Sequence, residues 1–452
     1  MTTQEQLKNE GIGRLLLKFS IPAIVGMLVN ALYNIVDRIF VGKGVNELAL
    51  TGIGVAFPFM TILLAFSMLV GIGGASLISI RLGQDRKEDA ERILGNSFIL
   101  MIIVTVLVTI LGLIYRDPLL RIFGASENTY AYARDYITII LYGSLGNTIG
   151  FAMNHMIRAQ GHPRAAMASM LIGALTNTIL DPIFIFVFAM GIKGAAYATI
   201  ISQAISAVYV LAFLQSKHSH LNFHIRNMKL SRNVIIEIFS IGMSPFAMQL
   251  AASVVTTISN NALRDYGGDL AIGAMSIISS VAMIFFMPIF GINQGVQPII
   301  GYNYGAKQYD RVKQALKLAV VAATVISTLG FIVVEVYPEA VIRIFNDSPE
   351  LIRIGSSGIR IFLSMMPLIG FQIVSSNYFQ AVGKAKISIV LSLLRQVILL
   401  IPLLLLLPMA FELSGVWMAG PIADGLSTVI TGLFIWKEMR KLDENHKLIL
   451  VN

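Results

Sequence analysis

Cysteine is absent from this chain, which excludes disulfides, thiolate metal sites and a cysteine nucleophile. Charge is scarce as well. Only 13% of the 452 residues are charged, against roughly 25% in soluble domains. No Gly-x-x-x-x-Gly-Lys-Ser/Thr run occurs, so there is no P-loop and no ATP-driven pump. Residues 1–14 are polar and lack an apolar core with a small-residue cleavage site, unlike a cleavable signal peptide. What the chain has in excess is apolar residues, 56% of the total. So few polar residues cannot give such a chain a charged surface, which rules out a soluble enzyme of two or three domains. The composition describes an integral membrane protein.

A helix needs about 20 apolar residues to cross the hydrocarbon layer. Twelve such runs lie near residues 15–41, 50–80, 93–115, 131–157, 165–188, 194–215, 234–263, 270–302, 315–337, 354–381, 387–408 and 414–436. The longest gap, 216–233, is too short for a soluble domain. Loops on the side of the N-terminus carry more than twice as many Lys and Arg as the opposite loops. By the positive-inside rule both termini are cytoplasmic, in a multi-pass protein of the plasma membrane. The formal charge of +9 is then a matter of topology, and nucleic acid is not an expected partner.

The two halves resemble each other at an offset near 221. Phe19-Ser20-Ile21 answers to Phe239-Ser240-Ile241, and Arg121-Ile122-Phe123 to Arg343-Ile344-Phe345. Arg81-Leu82-Gly83-Gln84 answers to Asn303-Tyr304-Gly305-Ala306, Ala159-Gln160-Gly161-His162 to Ala381-Val382-Gly383-Lys384, and Gly194-Ala195 to Gly415-Val416. An even number of spans per half gives both halves the same orientation. The expected fold is all-α: two parallel-repeat six-helix lobes, 1–215 and 234–452, joined by a cytoplasmic linker at 216–233 and flanking a central cleft.

Ionisable residues inside a span are expensive and call for a reason. Asp37, Asp181 and Asp424 are carboxylates that lie within the runs. From helix rise, Asp37, Asp181 and Thr199 lie about 6–9 Å from the outer ends of spans 1, 5 and 6. Asn177 is one turn from Asp181 on the same face. Four oxygen-bearing side chains of the N-terminal half therefore share one depth. Such a set suits a hard cation, or a proton shared by two carboxylates. The plainer alternative is a solvated helix end for Asp37-Arg38 and a simple kink at Asp181-Pro182.

Several stretches resemble the MATE (multidrug and toxic-compound extrusion) family, in particular its DinF/MepA-type branch. They are Tyr33-Asn34-Ile35-Val36-Asp37, Asn177-Thr178-Ile179-Leu180-Asp181-Pro182, Arg158-Ala159-Gln160-Gly161 and Gln297-Pro298-Ile299-Ile300-Gly301-Tyr302-Asn303-Tyr304-Gly305. The resemblance implies a secondary active antiporter, not an enzyme. It would export amphipathic, often cationic compounds in exchange for Na+ or H+, without another cofactor and as a monomer. It also assigns the coupling-ion or protonation site to Asp37, Asn177, Asp181 and Thr199, which would be metal ligands only under Na+ coupling. Tyr136 and Asn154 join by looser analogy, although Asn154 counts to the inner end of span 4.

The C-terminal half departs from this pattern. Leu399 and Leu403 stand where Asn177 and Asp181 stand in the first half. Arg395 and Asp424 both fall near the midplane, where a structural ion pair is the expected reading. Some other MATE branches place an acid in span 7, where this chain has Gln249. Gln249, Met283, Phe286, Met287, Met365 and Asn377 are the candidate substrate contacts, since export of varied compounds suits polarisable surface. Pro22, Pro58, Pro245, Pro288 and Pro367 interrupt spans and mark candidate bends. His218, His220 and His224 read more simply as solvated loop residues than as a metal site. The rival function is a lipid-linked oligosaccharide flippase of the same wider superfamily, which would want a strongly cationic cleft. A membrane-embedded enzyme or scaffold would want a reactive cluster or a docking domain.

Overall fold

The computed structural model of the chain describes residues 3–45, 47–345 and 347–451, which are helical throughout apart from short turns. Six spans occupy the first half: Ile12–Gly44, Leu48–Gly83, Lys87–Ile114, Glu127–Ala159, Pro163–Val187 and Gly191–Gln215. Spans 7 to 9 follow as Arg232–Gly268, Leu270–Gly305 and Tyr309–Val336. Span 10 is a broken one, Pro349–Phe362 and Met366–Ala381 bent by 47°. Pro367 sits in the first turn of its second piece, where a missing N–H costs nothing. The passage Ala385–Glu444 is continuous by hydrogen bonding, but Glu412 (φ 50°, ψ −133°) breaks it into spans 11 and 12. Twelve spans result, and the protein is a multi-pass membrane protein.

Not every proline breaks its helix. Span 1 runs unbroken through Pro22, and span 2 through Pro58. Short helices at Arg116–Ile122 and Pro338–Arg343, which the apolar pattern did not reveal, start 222 residues apart.

The same offset governs the turns. Asp85 (φ 56°) and Lys307 (φ 58°) both adopt the left-handed conformation that is uncommon outside glycine. Each closes a helix in the same way: Arg86 N–H donates to the Arg81 carbonyl, and Gln308 N–H to the Asn303 carbonyl, both at 2.9 Å. This is the six-to-one hydrogen bond of a Schellman cap. Gly161 (φ 92°) and Gly383 (φ 75°) close spans 4 and 10 in the same manner. The repeat is thus written in backbone geometry as well as in residue types.

Packing divides the chain into two units whose limits do not fall in the linker. One unit holds Val25–Phe246 with the residues up to Lys8; the other holds Asn9–Ile24 and the chain from Ala247 onward. Close helix crossings explain this. In the first unit, a Cβ on Gly73 of span 2 would lie 2.2 Å from the Ile238 carbonyl oxygen, and one on Gly242 1.8 Å from that of Leu69. Only glycine lets spans 2 and 7 approach so nearly. In the second unit, Gly295 of span 8 meets Ser20 of span 1, where a Cβ would lie 2.7 Å from Cα. Gly73 and Gly295, like Ser20 and Gly242, are again 222 residues apart.

The linker is docked rather than loose. Asn96 Nδ2 donates to the carbonyls of Asn227 and Lys229, both at 3.2 Å, and its Oδ1 accepts from Ser231 N–H at 2.7 Å. Glu91 accepts from Asn222 N–H at 2.9 Å, and Gln160 from Ser219 and Leu221. Phe98 and Phe223 meet edge to face. His220 is held below the ordinary histidine range, first by burial and then by Lys87 nearby. His162 is lowered by burial and by His220 and His218. Among the described residues no group of three His, Asp or Glu forms a metal cluster.

Candidate ion-coupling site

Five side chains from four spans of the first unit meet. Asp181 is fully buried, and Asp37 is 8% exposed. Asn177, Thr199 and Tyr136 are buried around them. Asp181 closes the regular part of span 5: Pro182 follows, and Ile183–Val187 forms a π-helical turn. A proline without N–H and a π-turn both re-aim side chains, and such turns recur at functional sites. In span 1 the local geometry is plain helix. Arg38 is exposed, and among the described residues it forms no ion pair with Asp37. Asp37 is therefore not a solvated helix end.

The two carboxyl groups lie within hydrogen-bonding reach of one another. Asn177 Nδ2 donates to Asp181 Oδ1 at 3.3 Å. The Tyr136 and Thr199 side chains lie near one another, with Tyr33, one turn before Asp37, close enough to feel its charge. Ser202 Oγ donates to the Thr199 carbonyl at 2.8 Å and fixes that turn of span 6. Three oxygens of the cluster, Asp37 Oδ1, Asp181 Oδ2 and Asn177 Oδ1, are buried without a hydrogen-bond partner. Leaving a buried acceptor unsatisfied costs about 1–3 kcal/mol, more for a charged one. Three at one point form a set that a proton or a small cation would satisfy. Oxygen donors of this kind suit hard cations.

Asn154 is elsewhere. It lies 18 residues beyond Tyr136 on one unbroken helix, about 27 Å along its axis. Its amide donates to the Ala166 carbonyl and Ser169 Oγ at 2.7 and 2.6 Å, and its oxygen accepts from Arg158 at 2.7 Å. The looser analogy that drew it to the acids is not matched by its partners. The inner-end cluster it joins, with buried Arg158 and His155, was marked in the sequence only by the Arg158-Ala159-Gln160-Gly161 stretch.

In the second unit Arg395 pairs with Asp424 through its Nε. Leu399 and Leu403 pack against the apolar core of that unit, in place of the polar residues of span 5. The candidate substrate contacts are dispersed. Met283 is exposed, Gln249 and Met287 are half-buried, and Phe286 packs on the core. Asn377 donates to its own helix at the Ile373 carbonyl. Met365 lines a cavity of 540 Å³.

Fold and site together define a membrane carrier made of two six-span repeats, with an acid pair buried in the first. The MatE family model matches the chain twice, over residues 22–183 and 245–406, once in each half, and the chain belongs to that family. Among curated relatives, "Multidrug export protein MepA" of Staphylococcus haemolyticus is 26% identical over 435 residues, covering 96% of each chain. Its Staphylococcus aureus (strain MSSA476) counterpart is 25% identical over 421 residues, 93% of each. Among solved structures, the MATE multidrug transporter DinF-BH is 40% identical, with a TM-score of 0.89 over 95% of this chain and 96% of that one. An outward-facing multidrug resistance MATE family transporter of the MOP superfamily, 25% identical, has a TM-score of 0.91 over 97% and 98%.

Proposed function

We propose that this protein is a secondary active multidrug exporter. It expels amphipathic, often cationic compounds by alternating access, in exchange for Na+ or H+ entering at Asp37 and Asp181. The observation that carries the reading is the set of three unsatisfied oxygens on Asp37, Asp181 and Asn177 inside one bundle. Thr199 and Tyr136 complete the polar wall. With Na+ the carboxyl and amide oxygens are the ligands; with H+ the two carboxyls share it. Entry of one charge across 100 mV contributes about 2.3 kcal/mol, before any concentration gradient is counted.

The relatives' names as multidrug exporters support the export reading, whereas the flippase alternative finds no support among them. On this reading the protein works as a monomer in the plasma membrane; the distribution of Lys and Arg supports cytoplasmic termini. No ATP and no nucleic acid take part. Accumulation of ethidium, a fluorescent cation, in cells that express the protein tests the proposal under imposed sodium or proton gradients. Expression lowers accumulation, and collapse of one of the two gradients restores it. Equal accumulation with and without the protein, under both gradients, overturns the reading.

A further inference from the structure

Two cavities of the second unit, at the end of the spans opposite the chain termini, share Arg360 and Ile361 in their walls and are therefore adjacent. The first, 640 Å³, is mixed, and more polar than the second: Glu339, Arg343, Ser356, Ser357 and Arg360 line it beside apolar residues such as Val336 and Ile361. The second, 540 Å³, is apolar at its far side, where Phe331, Met365, Met418, Pro421 and Ile422 form the wall. It runs from span 9 to span 12 over the bend of span 10. Both volumes fall in the range of small-ligand sites.

Their level in the bilayer follows from helix length. Span 9, with 28 residues, is about 42 Å long and exceeds a hydrocarbon core of about 30 Å. Its last turn thus reaches the headgroup layer. Arg360 is tied to that turn by a 3.0 Å hydrogen bond to the Glu335 carbonyl. Exposed Tyr337, just beyond, is a residue type enriched at this level. Exposed Val325, Leu329 and Ile332 on span 9, and Leu426, Val429 and Leu433 on span 12, leave the apolar cavity among lipid-facing surfaces.

We propose that this pair of cavities binds one phospholipid, phosphate in the polar chamber and one acyl chain in the apolar one. Glu339 lines the chamber as well, so what favours the phosphate is one guanidinium and one hydroxyl, each unpaired among the described residues. Arg343 has no carboxylate partner among the described residues, whereas Arg360 faces Glu335 at 3.8 Å. A guanidinium presents a planar fork that matches phosphate oxygens. Ser356 Oγ is buried without a hydrogen-bond partner beside it, a donor suited to the phosphate or to a glycerol ester. Methionine walls adapt to a flexible chain. The site is separate from the acid pair, so the inference stands whether or not the transport reading does.

Native mass spectrometry of the purified full-length protein tests it with dioleoylphosphatidylglycerol, dioleoylglycerol and inorganic phosphate as probes. The phospholipid binds one equivalent about tenfold more tightly than dioleoylglycerol, the difference expected of a charge-assisted pair. Arg343→Gln removes that difference without changing the Tm, since it breaks no ion pair. Ser364→Trp, at an exposed position in the wall of the apolar cavity, lowers phospholipid retention as well. Unchanged retention in Arg343→Gln overturns the proposal. So does dioleoylglycerol binding as well as the phospholipid, or inorganic phosphate displacing the phospholipid at equal concentration.

Discussion

The two units share their turns, caps and glycine crossings, yet they treat buried charge in opposite ways. The first brings two acids together and leaves three oxygens without partners. The second sets an acid against a base, Asp424 against Arg395. An acid–acid pair needs a positive ion to be comfortable in a dry interior, whereas an acid–base pair is complete by itself. A repeated fold thus supplies two scaffolds, and only one is chemically open. On the proposed reading, exchange chemistry belongs to the first unit and the second has a fixed electrostatic joint.

Substitutions break the comparison in graded fashion. The largest effect is expected at the open site: Asp37→Asn and Asp181→Asn each abolish ethidium export while membrane levels stay normal. Normal export in either variant removes the acid pair from the mechanism. At the closed site the loss is one of stability. Arg395→Ala strands Asp424 and costs about 3 kcal/mol, read as a lower Tm in detergent, whereas Arg395→Met with Asp424→Leu restores most of it. If the double variant is less stable than the single one, the pair is more than a structural joint.

A smaller effect falls on the polar wall. Tyr136→Phe removes one buried hydroxyl near Thr199, worth about 1 kcal/mol as a polar partner, and weakens coupling-ion affinity by roughly fivefold. Ion titration of export shows a shifted half-saturation with the maximal rate kept; a lost maximal rate instead assigns Tyr136 to the ion pathway itself. The smallest effect lies outside the membrane, at the docked linker. His162 and His220 are held below the ordinary histidine range, among Lys87, Glu91 and His218. Their docked state binds fewer protons than the open one. Docking is therefore complete above about pH 6.5 and weakens as the pH falls below it. Hydrogen exchange at Leu221 and Asn222 speeds up on acidification, and His220→Gln blunts that response. A rate independent of pH, once intrinsic exchange is corrected for, rules out the histidines as the cause.

Much of this architecture was legible because a bilayer leaves little choice. Apolar runs placed all twelve spans, and the offset between matched triplets anticipated the turns at Asp85 and Lys307 to within a residue. Depth counting brought Asp37, Asp181, Asn177 and Thr199 to one level, because rise along a helix is fixed. Depth says nothing about which helices are neighbours. That is why the exchange of residues 9–24 and 232–246 between the two halves stayed hidden, as it rests on Gly73, Gly242 and Gly295 meeting partners far away in sequence. The same blindness affected Asn154, whose depth was counted correctly and whose analogy pointed elsewhere. The substrate candidates were chosen by residue type alone, and type does not say which way a methionine faces in a span.

Span 1 has one further consequence. It is a single rod that passes from one unit to the other between Ile24 and Val25, beside Pro22 and Gly26. A helix does not stretch, and Pro22, which removes one backbone hydrogen bond, lies between Asp37 and the crossing at Ser20. Asp37 therefore lies on the stretch of span 1 that packs within the first unit, and Asn9–Ile24 on the stretch that packs within the second. Whatever neutralises Asp37 acts about 20 Å along the same helix from that passage.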